Sequence, residues 1–293
     1  MLLLTGATGT IGTALLRRLT VRGEPVRCLV RNPRRLGSAR VRVQIALGDL
    51  ADPPSFRHAL RGVDTVIHLA GSIRDQPRGS IEELNGVATW RMVHAAERAG
   101  VRRFVFFSTI DASTFSPSRL HRAKALAERA VAESGLPHTI FAPSFVYAPG
   151  DPYLRLLERL ALLPVMPFPG RGRALAQPIW AEDVADCVMA VLDGGETAES
   201  TRFELAGPDT LSEEAIVRLA LRSFGRQRPI VKVPLPVVRR GLRAVEVLAG
   251  PAAFATYDEV LLLQIPATAR TGTADAERLG VTPAPMAAVL GTR

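Results

Sequence analysis

A short apolar run, Met1 to Leu4, leads directly into T-G-A-T-G-T-I-G at residues 5–12 and then into a segment with helical periodicity. This strand, glycine turn and helix constrain the fold more than any other feature of the chain. A tight turn needs backbone angles that a Cβ forbids, and a pyrophosphate must approach the main chain closely, so Gly6, Gly9 and Gly12 each have a physical purpose there. Thr8, Thr10 and Ile11 fill the remaining contact positions. The helix expected over 10–22 would aim its free N–H groups and the positive end of its dipole at bound phosphates. The spacing G-x-x-G-x-x-G differs from the G-x-G-x-x-G fingerprint, and the Gly-Lys-Ser/Thr ending of a kinase-type P-loop is absent.

The 293 residues suffice for a large α/β domain with an added lobe, and 47% hydrophobic content fits a buried core. No apolar run reaches membrane-spanning length, and the N-terminal stretch reads as a strand, with no basic region before it to suggest a signal peptide. Cys28, in an expected strand, and Cys187, in an expected helix, form neither a disulfide framework nor a metal spacing. No metal is expected, and the reading is a reducing, cytoplasmic setting.

A net charge of +9 raises the question of polyanion binding. Of 37 basic residues only Lys124 and Lys232 are lysine, and the arginines are spread over nearly every expected helix. That distribution is a chain-wide bias, so nucleic acid is not the expected partner.

Apolar runs near 1–5, 25–30, 41–47, 63–69, 102–108 and 137–142 alternate with helical patterns near 10–22, 53–61, 80–99 and 117–134. Such alternation predicts an α/β fold, a doubly wound parallel sheet with both faces covered. From Phe145 a Pro- and Gly-rich excursion breaks the rhythm; a helix near 181–193 and a strand near 202–206 look like a return to the core. The division is therefore a nucleotide-binding domain over 1–145 and a smaller, mainly helical C-terminal lobe over 146–293, for a substrate or partner, with 181–206 rejoining the sheet. Pro234 to Gln264 is rich in Leu, Val and Ala, with Arg239, Arg240 and Arg243 together. A basic amphipathic helix can lie on a membrane surface. The preferred reading is that its apolar residues pack the lobe against the sheet and line a pocket.

In dinucleotide folds an acidic residue ending the second strand selects NAD, whereas arginine accommodates a 2′-phosphate. Here that strand runs into Arg31-Asn32-Pro33-Arg34-Arg35 with no carboxylate. A guanidinium grips phosphate bidentately, so Arg31, with Arg34 or Arg35 in reserve, favours NADP(H) over NAD(H).

These residues resemble the short-chain dehydrogenase/reductase superfamily, in its extended and atypical members. The motifs are T-G-A-T-G-T-I-G at 5–12, G-D-L at 48–50, H-L-A-G at 68–71, F-F-S-T at 106–109, K-A-L-A-E at 124–128 and A-P-S-F-V-Y-A-P-G-D at 142–151. Q-P-I-W-A-E-D-V-A at 177–185 and F-E-L-A-G-P at 203–208 resemble the branch related to the NADPH-binding accessory subunit of respiratory complex I. The resemblance implies a Rossmann-type sheet and a set of contacts. Asp49 and Leu50 would meet the adenine, Ala70 and Gly71 would flank the ribose and pyrophosphate, and Lys124 would hold the nicotinamide ribose. Pro143, Phe145 and Val146 would pass along the nicotinamide, and Ser108 aligns with a serine that steadies a substrate carbonyl.

The chain departs from the superfamily at one catalytic position. Its reductases carry a tyrosine four residues before the lysine, on the same helical face, as the proton donor. Here the segment is Leu120-His121-Arg122-Ala123-Lys124. Three readings follow: His121 supplies the proton, or the hydride goes to a quinone or flavin that needs no tyrosine, or the protein binds NADP(H) without ordinary carbonyl reduction. The last is preferred, with an oxidoreductase acting on a lipophilic carbonyl or quinone as the alternative, and a protein partner in place of a substrate if catalysis is absent. A sugar-nucleotide epimerase would need the missing tyrosine even more.

Overall fold

The computed structural model describes residues 1–194, 200–250 and 253–292; residues 195–199, 251–252 and 293 of the expected C-terminal lobe lie outside them. Seven strands form a fully parallel central sheet. In chain order they are β1 (Leu2–Thr5), β2 (Val26–Val30), β3 (Gln44–Leu47), β4 (Thr65–His68), β5 (Arg103–Phe107), β6 (His138–Pro143) and β11 (Thr201–Leu205). Their spatial order is β11-β6-β5-β4-β1-β2-β3. The order reverses between β1 and β4, the switch point at which an open α/β sheet leaves a crevice beyond its carboxyl ends.

Apolar strands with little alternation, such as Arg103–Phe107 (RFVFF) and His138–Pro143 (HTIFAP), need cover on both faces. One face packs Leu4, Cys28, Ile67, Val105 and Phe141 against α1 (Thr10–Arg22) and α6 (Ala181–Leu192). The other packs Leu3, Val66, Phe104 and Phe106 against α2 (Pro53–Phe56), α3 (Ala88–Arg98) and α4 (Arg119–Ala132). Both cysteines are buried and free.

Two helices expected to be continuous are not. The 53–61 segment is α2 followed by a 3₁₀ turn over Arg57–Leu60. The 80–99 segment opens in a π-helical turn, Glu83–Val87, before α3. There the buried Asn85 donates from Nδ2 to the carbonyls of Ile81 (2.8 Å) and Ser72 (2.7 Å), tying the turn to the loop after β4.

A third core collects Tyr147, Leu154, Phe168, Ile216 and Met286. It is built from β7 (Val146–Tyr147), α5 (Pro152–Leu160), β8 (Met166–Pro169), β9 (Leu175–Ala176), β10 (Ile179–Trp180), β12 (Leu211–Ser212), α7 (Glu213–Ser223) and β13 (Ile230–Val233). Then follow α8 (Leu235–Ala249), α9 (Tyr257–Leu262), α10 (Ala274–Arg278) and α11 (Met286–Val289). The last segment runs back along the sheet edge: the Glu204 N–H donates to Asp275 Oδ2, and the Arg270 N–H to Glu204 Oε2.

Helix α8 departs from the expectation that its apolar residues pack against the sheet. Only Leu242 of its fifteen residues is buried, while Val237 and Leu248 face solvent.

Candidate functional site

A cleft of about 630 Å³ opens over the carboxyl ends of β1, β2 and β4. Of the residues expected at a nucleotide, it is lined by Gly6, Thr8, Gly9, Arg31, Arg35, Asp49, Leu50, Ala70 and Gly71. Thr10, Ile11 and Gly12 form the first turn of α1 beside it.

The three glycines turn out to serve different ends. Gly6 sits at φ +72°, and a Cβ there would come within 2.7 Å of the Leu69 and Ala70 backbone. Gly12 has its own reason: a Cβ would lie 2.1 Å from the Gly6 carbonyl oxygen, so only glycine lets α1 pack on the turn. Gly9 is the exposed N-cap of α1, in ordinary extended geometry, with no side-chain cap and no acidic residue in the first turn. The helix therefore presents uncapped N–H groups to the cleft without a competing carboxylate, a setting suited to a diphosphate.

Beneath the turn, Thr5, His68 and Thr89 make a buried chain that joins β1, β4 and α3. Thr89 Oγ1 donates to the Asn85 carbonyl (2.6 Å), so it accepts from His68 Nε2 (3.2 Å). His68 Nδ1 is then the acceptor for Thr5 Oγ1 (2.9 Å), which in turn accepts from the Ala70 N–H (3.3 Å). Burial pushes the imidazole down to about 3, so it is neutral. This network holds the two glycine-bearing loops in register, and sequence reasoning passed over it.

At the far end of the cleft, Arg31, Arg35 and Arg78 all reach the wall. Arg31 Nη2 donates to Gln76 Oε1 across the opening (3.3 Å), and Arg78 Nη1 lies 3.5 Å from Asp49 Oδ2. Asp49 Oδ1 also accepts from the Ala51 N–H, closing a turn. Arg34 is absent from the lining. Gln76 and Arg78 come from a polar loop with no recognisable motif, so sequence reasoning had no handle on them.

Lys124, with Ser108 and His121, is not among the residues lining the cleft; Lys124 borders it behind Gly71. Its Nζ donates to the Phe107 carbonyl (2.7 Å), lies 4.9 Å from the Phe106 ring centroid, and sits next to Gly71, whose Cβ would lie 3.5 Å from it. Burial pushes the amine down to about 8, with Glu128 opposing. Ser108 Oγ and His121 Nδ1 are both buried without a hydrogen-bond partner. Burial also lowers the His121 pKa, against the pull of Asp111, which has φ +59° and is the one non-glycine at positive φ among the described residues. Leu120 is half-buried one turn before Lys124. Pro143, Phe145 and Val146 lie outside the cleft lining: Pro143 ends β6, the Phe145 ring meets Tyr153 edge-on at 5.2 Å, and Val146 packs against the first core.

A family model described as NAD(P)H-binding matches residues 6–194, the span that carries the glycine turn, the cleft and Lys124. The chain belongs to the NAD(P)H-binding family. It is 37% identical over 267 residues to sterol demethylase protein B of Methylococcus capsulatus, covering 82% of this chain and 79% of that one. It is 28% identical over 246 residues to the mitochondrial NADH dehydrogenase (ubiquinone) 1 alpha subcomplex subunit 9 of Arabidopsis thaliana. That match covers 80% of this chain and 60% of the relative, less than two thirds of its length. The resemblance to the complex I accessory subunit read from the motifs agrees with this relative. In fold, this NAD(P)H-binding chain superposes on MoeE5 in complex with UDP-glucuronic acid and NAD with a TM-score of 0.74, at 21% identity over 100% of this chain and 97% of that one.

Proposed function

We propose that this protein binds NADP(H) in preference to NAD(H) and performs ordinary carbonyl reduction weakly or not at all. The observation that carries the cofactor choice is the trio Arg31, Arg35 and Arg78 on the cleft wall past β2, where no carboxylate follows the strand. A 2′-phosphate there would receive charge-assisted hydrogen bonds, whereas the ribose hydroxyls of NAD would lack their usual acceptor. The α1 N-terminus would hold the diphosphate, Asp49 and Leu50 the adenine, and Lys124 the nicotinamide ribose. Bound NADP(H) supplies or accepts hydride. Leucine at position 120 has no proton to give the substrate oxygen, which separates holding the cofactor from using it.

Calorimetric titration with NADPH and NADH tests the cofactor choice, and NADPH oxidation across aldehydes, ketones and quinones tests the catalytic one. Tight NADPH binding with little turnover is expected. Equal affinity for NADH, or brisk oxidation with simple carbonyls, would overturn the respective half.

A second reading, an NADPH-dependent oxidoreductase acting on a lipophilic carbonyl or quinone, is favoured by the buried, unpartnered Ser108 Oγ and His121 Nδ1. Buried polar atoms without partners are costly and suit a ligand that satisfies them. The name of the Methylococcus relative, a sterol demethylase protein, likewise names a lipophilic molecule. Under this reading, activity with a 3-ketosteroid would be lost in both Ser108→Ala and His121→Ala.

A further inference from the structure

Helix α8 is the least buried long helix of the molecule, and its two faces differ. Leu242 points inward with Leu235, Val238 and Val245 beside it, all at least half-buried. On the outer face Val237, Gly241, Ala244 and Leu248 recur at i, i+4, i+7 and i+11, so they form one stripe, and all four are exposed. Leu248 is 87% exposed, the neighbouring Val247 84%, and Phe254 just beyond the helix 56%. Arg240 and Arg243 lie together on one side of the stripe; Arg239 lies over the Tyr257 ring. Among the described residues none of the three arginines pairs with a carboxylate.

We propose that this face of α8 docks the protein on an anionic lipid bilayer. An apolar stripe with guanidiniums along one side, unpaired among the described residues, matches the acyl boundary and the phosphate layer of such a surface at once. A second copy of the chain fits poorly, because each carries a net charge of +9 and the contact would set arginine against arginine. No helix among the described residues is long and apolar enough to cross a membrane, so the contact is peripheral.

The helix is held for this role from beneath. Glu246 Oε1 accepts from the Tyr257 N–H (2.9 Å), and α9 is clamped to the body by Glu259 on Arg74 and Asp258 on Arg119. Glu246 also lines a second cavity, about 310 Å³, which shares Gln76 with the cofactor cleft.

The test is co-sedimentation of the full chain with vesicles of 30% phosphatidylglycerol in phosphatidylcholine and with pure phosphatidylcholine, in 100 mM salt. Binding is expected to the first and to be at least about tenfold weaker to the second. Arg240→Glu with Arg243→Glu should reduce binding by at least about tenfold, and Val237→Asp with Leu248→Asp should abolish it, with thermal melting and NADPH affinity unchanged. Failure of the wild-type chain to sediment with the anionic vesicles would overturn the proposal. So would full binding by the Val237→Asp, Leu248→Asp protein, which would reduce the effect to adsorption of a basic protein. A concentration-dependent dimer lost in that same variant would assign the stripe to a second copy instead.

Discussion

The glycine-turn cleft and the Lys124 cluster that borders it behind Gly71 are made of different material. At the glycine turn the groups facing the cleft are backbone: the Gly6 and Gly9 turn, the uncapped start of α1, and a helix packed so closely that a Cβ on Gly12 would meet the Gly6 carbonyl. Around Lys124 the groups are side chains from α4 and from the end of β5 and the residue after it, buried together, with Ser108 and His121 left unpartnered. A backbone site is specified by what must be absent, namely Cβ atoms. A side-chain site is specified by which groups are present, so a single exchange can change its chemistry and leave its shape.

The comparison is broken most directly by Gly12→Ala. The new Cβ would meet the Gly6 oxygen at 2.1 Å, so the turn must shift. NADPH binding should become undetectable by calorimetry, with a loss of about 1–3 kcal/mol in denaturant unfolding typical of overpacking. Retained binding would mean that the phosphate end is not backbone-built.

Leu120→Tyr sharpens the other end. Placing a phenol one turn before Lys124 should raise NADPH-dependent reduction of an aldehyde by about a hundredfold, the usual scale of general acid catalysis, while NADPH affinity stays put. No gain in kcat would show that leucine is not what limits the chemistry.

Arg31→Asp should weaken NADPH by about tenfold and leave NADH unchanged or improved. A uniform loss with both would assign Arg31 to general charge rather than to the 2′-phosphate.

The smallest expected effect is on pH dependence. Lys124 titrates near 8, so its positive charge fades as pH rises from 7 to 9, and NADPH affinity should fall by about threefold over that range. Lys124→Ala should lack this slope. Stability runs the other way: the folded-state value lies below the ordinary 10.5, so this residue's contribution grows between about 8 and 10.5 and is lost as pH falls through 8. Thermal melts of wild type and Lys124→Ala across pH 7–10 give the check.

Legibility followed the same division. The strand and helix positions of the first half were readable because buried parallel strands are short apolar runs and amphipathic helices repeat at 3.6, and α1 spans Thr10–Arg22 as its pattern requires. The break in the 80–99 helix was not, because Asn85 is an ordinary helix residue until its side chain finds the Ser72 carbonyl thirteen residues away. Arg78 and Gln76 were equally silent: their loop matters only because it folds back over the cleft. For α8 the composition was plain but its orientation was not, since an amphipathic helix can present either face to the core until the packing is known.

By itself, the sequence determined that a glycine-rich turn opens a parallel α/β sheet, because glycine spacing and apolar periodicity are local constraints that act before any tertiary contact forms. The tertiary structure alone decided that Arg78, from the loop after β4, joins Arg31 and Arg35 on one wall, that Ser108 and His121 lie buried without partners, and that the apolar stripe of α8 faces outward. Those outcomes depend on which distant segments meet, and no local pattern of residues encodes the meeting.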